Sequence, residues 1–492
     1  MRLRDLCMNT ECVLLQGDYL KEINNVSYRS TDVAEGDAFV CIKGARTDGH
    51  KYIHEAVANG AAAVFMENEE YASELPEGVT AVKVGDGRRA LAELSAAYFG
   101  YPARKLITIG VTGTKGKTTT AHIIKRILEA GGRKTGMIGT TGVVIGDMKY
   151  ESANTTPESY ELHRAMADMV REGCSCVVME VSSQALKLDR TAGIIFDYCI
   201  YLNLSEDHIG PGEHKDFREY LECKSSLFRQ CRTGIINIDD RYAEQIERGA
   251  ACRILKFGTC EEADYRIMET EPYKTENVMG MSFTLRRNEP EIMNCKFTIN
   301  IPGAFSVTNA VAAIAVCSLI GVGADMIAEA LMDIHVKGRT ELLKTAAGAY
   351  VMIDFAHNRA SMESVLGTLR MYLDGRLICI FGAGGDRSRE RRFGMGEAAG
   401  RLADLCILTE DNPRTEKVSD INADIITGIS HVGGHYMEIE NRTEAVAYGI
   451  RHALPGDIVV ILGKGHESYI ERNGVREHYS DHEAVQQAVE SH

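Results

Sequence analysis

Gly113, Thr114, Lys115, Gly116, Lys117, Thr118 and Thr119 lie between a β-branched run, Leu106 to Val111, and a stretch with apolar residues at Ile123, Ile124, Ile127 and Leu128. Strand, glycine-rich loop and helix in that order form a phosphate-binding context. Gly113 and Gly116 let main-chain N–H groups close around phosphate oxygens, and the N-terminus of the following helix favours negative charge. Lys117 can reach the outer phosphates, and the Thr118 hydroxyl is placed to hold Mg²⁺. Five residues separate Gly110 from Gly116, where the common P-loop has four. The chemistry is nucleotide binding. Glu180 and His208 are the further metal candidates, a carboxylate directly after a strand and a nitrogen that is a less usual ligand for Mg²⁺. Singly, each reads as a solvated or structural residue. What groups them with Thr118 is their position after strands expected to flank the phosphate loop.

Further along the chain, Arg339, Asp354 and His357 open a third unit. Arginine can grip phosphates bidentately and aspartate can take ribose or adenine contacts, with an interdomain ion pair as the alternative. Asp411, Arg414 and Glu467, with Arg387, place both charge signs on loops of one sheet edge. An amino acid, with its own carboxylate and ammonium, would need that mixture; a surface salt-bridge cluster would look the same in sequence. Lys224, in Glu222-Cys223-Lys224-Ser225-Ser226-Leu227-Phe228, reads on pattern alone as a solvated helix lysine.

These residues need elements to position them. In the first unit, residues 1 to about 100, strands are predicted at Ala38–Ile42, Ala62–Met66 and Thr80–Val84, with helices at His54–Ala58 and Ala90–Phe99. Tyr101-Pro102 marks a boundary. From 101 to 336 strands and helices alternate, and Cys176–Met179 and Tyr198–Leu202 each end in polar residues, Glu180-Val181-Ser182-Ser183-Gln184 and Asn203-Leu204-Ser205-Glu206-Asp207-His208. Parallel strands joined by helices bring such ends to one edge with the phosphate loop. Between 262 and 302, SFTLRR and CKFTINI alternate as antiparallel strands do. From 337 to 492, four apolar strands (Tyr350–Ile353, Leu377–Phe381, Leu405–Leu408, Ile458–Leu462) each precede a glycine-rich or charged loop, the pattern of a doubly wound sheet. The fold class is α/β in three domains.

A chain of 492 residues is consistent with about three domains of roughly 150 residues. A formal net charge of −15 argues against a general nucleic-acid binder, which needs excess Lys and Arg. The 14 cysteines are scattered, several (Cys41, Cys176, Cys199, Cys379, Cys406) inside apolar strand patterns, so reduced thiols in a cytoplasmic protein are expected. MRLRDLCMNTEC lacks the apolar core of a signal peptide, and the apolar run near Ala310–Ala324 is short for a membrane span and carries glycines. No membrane insertion is expected.

Taken together, TGTKGKTT (112–119), NTTPES (154–159), EVSSQAL (180–186), NLSEDH (203–208), CKSSLF (223–228), GRTE (338–341), DFAHN (354–358), GAGGDR (382–387), DNPR (411–414), GKGHE (463–467) and YSD (479–481) resemble, in content and order, the Mur ligase family of ATP-dependent amide-bond-forming enzymes of peptidoglycan synthesis. The likeness is to the type that adds the third residue of the stem peptide, and it spans nearly the whole chain. The resemblance implies a uridine-nucleotide-binding domain (1–100), a central ATPase domain (101–336) and a Rossmann-like domain receiving the amino acid (337–492). It implies that Tyr28, Ser30, Ala45, Arg46, Thr47, Asn154, Thr155, Thr156, Ser182 and Arg190 bind UDP-N-acetylmuramoyl-L-alanyl-D-glutamate. Gly113 through Thr119 would bind ATP, completed by Arg339, Asp354 and His357. Lys117, Glu180, His208 and Lys224 would be catalytic, with Thr118, Glu180, His208 and a carbamylated Lys224 around Mg²⁺. Arg387, Asp411, Asn412, Pro413, Arg414, Gly463 and Glu467 resemble the signature selecting meso-diaminopimelate over L-lysine, with Arg414 meeting the distal carboxylate. A monomer is expected. The chain departs from the family pattern at Arg29-Ser30-Thr31, at Asn358-Arg359 after His357, and at Gln184. The alternatives are the same ligation with L-lysine or another diamino acid, a folylpolyglutamate-synthetase-like ligase, a non-catalytic ATP-binding paralogue and a P-loop switch or motor NTPase.

Overall fold

The computed structural model describes residues 1–44, 47–206, 209–210, 213–275, 278–287, 293–335 and 341–490. The chain divides into two compact units, Met1–Ile267 with Arg286–Met293 and Val311–Ile327, and Met268–Leu285 with Asn294–Ala310 and Ala328–His492.

The first unit holds two sheets. In the N-terminal one, Thr80–Val84, Ala63–Met66, Ala38–Val40 and Val26–Ser27 lie parallel in that order, and Cys12–Gln16 pairs antiparallel with Thr80–Val84 at the edge. The three predicted strands form within two residues of their expected limits; the edge strands Cys12–Gln16, a short apolar run (CVLLQ), and Val26–Ser27, only two residues long, are additional to them. The second sheet puts Ile107–Thr112 in the middle. Cys176–Glu180 and then Thr135–Gly139 run parallel on one side, and Phe196–Tyr201, Cys231–Asn237 and Arg253–Gly258 run parallel on the other. A meander, Gly142–Ile145 and Met148–Tyr150, finishes the first side. Because the chain moves one way from Ile107–Thr112 and later returns to its opposite flank, the crevice beyond Thr112 is a topological switch point, where open α/β sheets bind ligands.

Helix Lys117–Ala130 follows directly. Ile123, Ile124, Ile127 and Leu128 are all buried, as their spacing of three and four residues on one face predicts. Each such side chain contributes about 1.5–3 kcal/mol by leaving water. Gly116 caps this helix at φ +86°, a left-handed conformation that side-chain-bearing residues rarely adopt. The five cysteines placed in apolar strand patterns are all fully buried.

In the second unit, Tyr350–Asp354, Ile458–Leu462, Leu377–Phe381, Leu405–Leu408 and Tyr436–Glu438 form a parallel sheet in that order, with Glu341–Lys344 antiparallel at the Tyr350–Asp354 edge. Every residue of Leu377–Phe381 and Ile458–Leu462 is buried, which is why these strands are continuously apolar. The carboxyl ends of the four predicted strands therefore gather the DFAHN, GAGGDR, DNPR and GKGHE loops at one edge. The alternating SFTLRR and CKFTINI segments form strands Met279–Arg287 and Met293–Ile299. No helix among the described residues is long and apolar enough to cross a membrane.

Candidate active site

The phosphate loop is shaped by its neighbours across the switch point. The Thr114 N–H donates to the Asn203 carbonyl at 3.0 Å and the Lys115 N–H to the Asn203 side chain at 2.9 Å. The Thr114 hydroxyl lies 3.0 Å from the Tyr220 hydroxyl. Lys117 Nζ donates to the Gly113 and Thr114 carbonyls at 2.8 and 3.1 Å, so its ammonium sits over the loop. Lys224, on helix Phe217–Ser226, is not the solvated lysine its sequence pattern gave. It is 1% exposed, its ammonium stands 4.7 Å from the Tyr220 ring centre, and it donates to the Gly113 carbonyl at 3.0 Å. Two lysines thus converge on one carbonyl of the loop.

Glu180 is the hub of this region. Its buried carboxylate accepts from the Thr118 hydroxyl at 2.9–3.0 Å, and from the Thr140 N–H at 2.8 Å and hydroxyl at 3.3 Å. The Thr140 hydroxyl in turn lies 3.1 Å from the Thr155 hydroxyl. A Cβ on Gly139 would overlap the Glu180 carboxylate, so only glycine leaves room for it. Thr118 and Glu180 offer hard oxygen donors, which suit Mg²⁺. Among the described residues no group of three or more His, Cys, Asp or Glu could hold a metal. A cation here would complete its shell with phosphate oxygens and water, as Mg²⁺ commonly does.

The residues assigned to the nucleotide substrate fall into smaller sets. Thr156 donates to the Glu180 carbonyl at 2.8 Å and accepts from the Ser182 N–H at 3.1 Å, while Ser182 caps the next helix through the Ala185 N–H. Arg190 donates to the Thr156 carbonyl at 2.9 Å and pairs with Glu158 at 2.7 Å, and Arg88, in the first turn of helix Gly87–Tyr98, reaches the same Glu158 at 3.3 Å. Tyr28 donates to Glu161 at 2.9 Å. Tyr28, Arg29, Asn154, Glu158, Glu161 and Arg164 line one cleft of about 560 Å³. Ser30 and Thr47 are not among its lining; their hydroxyls bond Glu55 at 2.6 Å and Tyr52 at 3.2 Å. Ala45, Arg46, His208 and Arg339 lie outside the described residues.

In the second unit, Asp354 Oδ1 accepts from the Ala356 N–H at 2.8 Å, and His357 Nδ1 lies 2.7 Å from the Phe355 carbonyl. The DNPR and GKGHE loops are not a surface salt-bridge cluster, since Asp411, Asn412 and Pro413 are buried. Lys464, fully buried, donates to Asn412 Oδ1 at 3.0 Å, lies 3.3 Å from Glu467 and 3.8 Å from Asp411, and donates to the Tyr469 carbonyl at 2.8 Å. Asn412 completes the link through Glu467 at 3.1 Å. Arg414 is half-buried and donates to the Gly385 carbonyl at 2.9 Å, whereas Arg387 is exposed.

Sequence reading passed over Thr140, Asn203, Lys464 and His214. The last is fully buried, 2.9 Å from the Ser183 hydroxyl and 3.4 Å from Glu219, and burial holds its imidazole below the usual range. Lys464 and His214 stand inside or beside quoted motifs, but nothing local distinguishes a buried lysine or histidine from an exposed one. Thr140 and Asn203 follow strand ends, the only signal for Thr140, while Asn203 also opens the NLSEDH motif.

Family models match along the chain. Residues 22–99 match the Mur ligase family catalytic domain, 111–317 the Mur ligase middle domain, and 338–465 the Mur ligase glutamate ligase domain. The chain is 37% identical over 497 residues, covering 100% of both chains, to a UDP-N-acetylmuramoyl-L-alanyl-D-glutamate–2,6-diaminopimelate ligase of Clostridium perfringens (strain 13 / Type A). It is 39% identical over 470 residues, covering 95% of both, to the protein of the same name from Caldanaerobacter subterraneus subsp. tengcongensis. A solved structure of a UDP-N-acetylmuramoyl-L-alanyl-D-glutamate–2,6-diaminopimelate ligase superposes with a TM-score of 0.74 at 29% identity, covering 100% of this chain and 99% of that one.

Proposed function

The chain belongs to the Mur ligase family, and from that premise we propose that it is an ATP-dependent, ADP-forming ligase that joins meso-diaminopimelate to UDP-N-acetylmuramoyl-L-alanyl-D-glutamate. The observation that carries this is the Glu180 carboxylate, which binds Thr118 of the phosphate loop on one side and, through Thr140, meets Thr155 of the NTTPES segment on the other. One group is thereby linked, directly on the ATP side and through Thr140 on the acceptor side, to both partners of a phosphoryl transfer.

In this mechanism the D-glutamate carboxylate of the nucleotide substrate attacks the γ-phosphorus of ATP, and ADP leaves. The amine of diaminopimelate then attacks the acyl carbonyl, loses a proton, and phosphate departs. There is little covalent work for the protein, so catalysis is positioning and charge neutralisation. Lys117 lies at the loop where the γ-phosphate is held and offsets charge on the transferring group. Thr118 and Glu180 would hold Mg²⁺, which, when bound, supplies charge neutralisation between phosphate oxygens. His208 would add a ligand, and Lys224, at the loop through Gly113, would add an anionic one if carbamylated. Arg339, Asp354 and His357 complete the ATP site, and Arg46 with Ser30 and Thr47 the uridine end. In the amino-acid site Asp411, Asn412 and Glu467 take the ammonium and Arg414 and Arg387 the carboxylates. We place the uridine end in 1–100, the ATPase in 101–336 and the amino-acid end in 337–492, in a cytoplasmic monomer.

Match of the family model to residues 22–99 supports this over a folylpolyglutamate-synthetase-like enzyme, which lacks a uridine-binding domain. The test is phosphate release with ATP, Mg²⁺ and UDP-N-acetylmuramoyl-L-alanyl-D-glutamate, plus either meso-diaminopimelate or L-lysine. Turnover with diaminopimelate is expected. Turnover with lysine alone would overturn the assignment of Arg414, and none with either would make the chain a non-catalytic paralogue.

A further inference from the structure

Arg414 stands in the left-handed region at φ +53°, where a residue with a side chain needs outside support. That support comes from one place. The Arg414 N–H donates to the Glu471 carbonyl at 3.0 Å, and the Arg414 carbonyl accepts from the Asn473 N–H at 2.8 Å. Both main-chain groups are therefore paired with a hairpin, Tyr469–Arg472 and Val475–His478, through an isolated parallel bridge between Arg414 and Arg472. The hairpin is a two-stranded sheet by itself, turned by Asn473 at φ +48° and Gly474 at φ +80°, the combination a type I′ turn requires. Two strands alone are marginal, so what surrounds them fixes their place. Three links do so. The Arg472 guanidinium pairs with the buried Glu410 carboxylate at 2.6 Å, the Glu471 N–H donates to Asn412 Oδ1 at 2.9 Å, and Lys464 donates to the Tyr469 carbonyl at 2.8 Å.

We infer that this hairpin sets the amino-acid preference of the site, by holding the Arg414 main chain left-handed and so aiming its guanidinium at the distal carboxylate of the incoming amino acid. Released from the hairpin, Arg414 relaxes to an extended or right-handed conformation, which redirects its Cα–Cβ bond and carries the guanidinium away from the Gly385 carbonyl that now anchors it. A diamino acid without a second carboxylate is indifferent to that movement. Arg472 is then a positioning residue for specificity, acting through Arg414. This rests on the proposed pairing of Arg414 with a distal carboxylate.

Rates are measured with meso-diaminopimelate and with L-lysine for the wild type and for Arg414→Ala, Arg472→Ala, Arg472→Lys and Gly474→Val. Both Arg472→Ala and Gly474→Val are expected to lower the diaminopimelate-to-lysine ratio of kcat/KM by about tenfold, through KM for diaminopimelate, with kcat and KM for ATP within about twofold. Arg472→Lys restores most of the ratio. An unchanged ratio in both hairpin variants, with a collapsed ratio in Arg414→Ala, overturns the hairpin's role and leaves Arg414 in place. An unchanged ratio in Arg414→Ala overturns the Arg414 assignment and the inference with it. A uniform loss with all substrates at constant ratio reduces the hairpin to scaffolding and also overturns the inference. If Arg472→Ala fails to accumulate folded, Gly474→Val, which alters no side chain facing the site, decides.

Discussion

Glu180 takes hydrogen bonds from Thr118 and Thr140, and its reach depends on the absence of a side chain at Gly139. Gly139→Ala puts a methyl group where the carboxylate lies, so the carboxylate must move by the order of an ångström. We expect phosphate release to fall about 100-fold, a loss typical of such displacement, with a raised Mg²⁺ requirement and an unchanged far-ultraviolet spectrum. Retained activity at ordinary Mg²⁺ would remove Glu180 from the metal site. The nearness of Thr118 and Glu180 was legible, because Glu180 ends one strand and Thr118 opens the helix after its neighbour, and topology carries both to the switch point. Thr140 was not, since a threonine after a strand has many ordinary uses. Its link to Thr155 joins two loops with no shared local pattern.

Arg442 and Asp481 form a strut between elements. Both are fully buried, paired at 2.8 Å, and Arg442 also donates to the Glu410 carbonyl at 3.2 Å and the Leu462 carbonyl at 2.9 Å. Those carbonyls sit immediately before the DNPR and GKGHE loops, so one guanidinium ties the helix Arg442–Arg451 to both. Arg442→Ala strands the Asp481 charge in the interior and is expected to cost about 3–5 kcal/mol, read as a lower midpoint of urea unfolding. Arg442→Met with Asp481→Leu should recover much of that loss, because no uncompensated charge remains. At this scale the sequence was informative about strands and reticent about edges. Apolar runs such as Leu377–Phe381 announce buried parallel strands. The hairpin at Tyr469–Arg472 and Val475–His478 had its Asn473-Gly474 turn signal, yet with mostly exposed faces it lacks an apolar run.

His163 bears on the whole molecule's response to acid. It is 1% exposed on helix Ser159–Arg171, neither ring nitrogen has a hydrogen-bond partner among the described residues, and burial lowers its pKa from 6.5 to about 4. The folded protein thus keeps His163 neutral where the unfolded chain would protonate it. Its contribution to stability is complete above pH 6.5 and is lost as pH falls toward 4, by roughly 3 kcal/mol between pH 7 and pH 4. His163→Phe should flatten this acid limb in urea midpoints measured across that range; an unchanged slope would place the loss elsewhere. By itself the sequence determined the α/β class, the phosphate loop and the order of the ligand-bearing loops, because strand and helix periods and turn residues act over a few neighbouring positions. Only the tertiary structure decided that Lys224 is buried against Gly113, that Glu180 meets Thr140, and that Arg414 is held left-handed by a hairpin more than 50 residues later. Those outcomes rest on register and packing between distant segments, which no local pattern encodes.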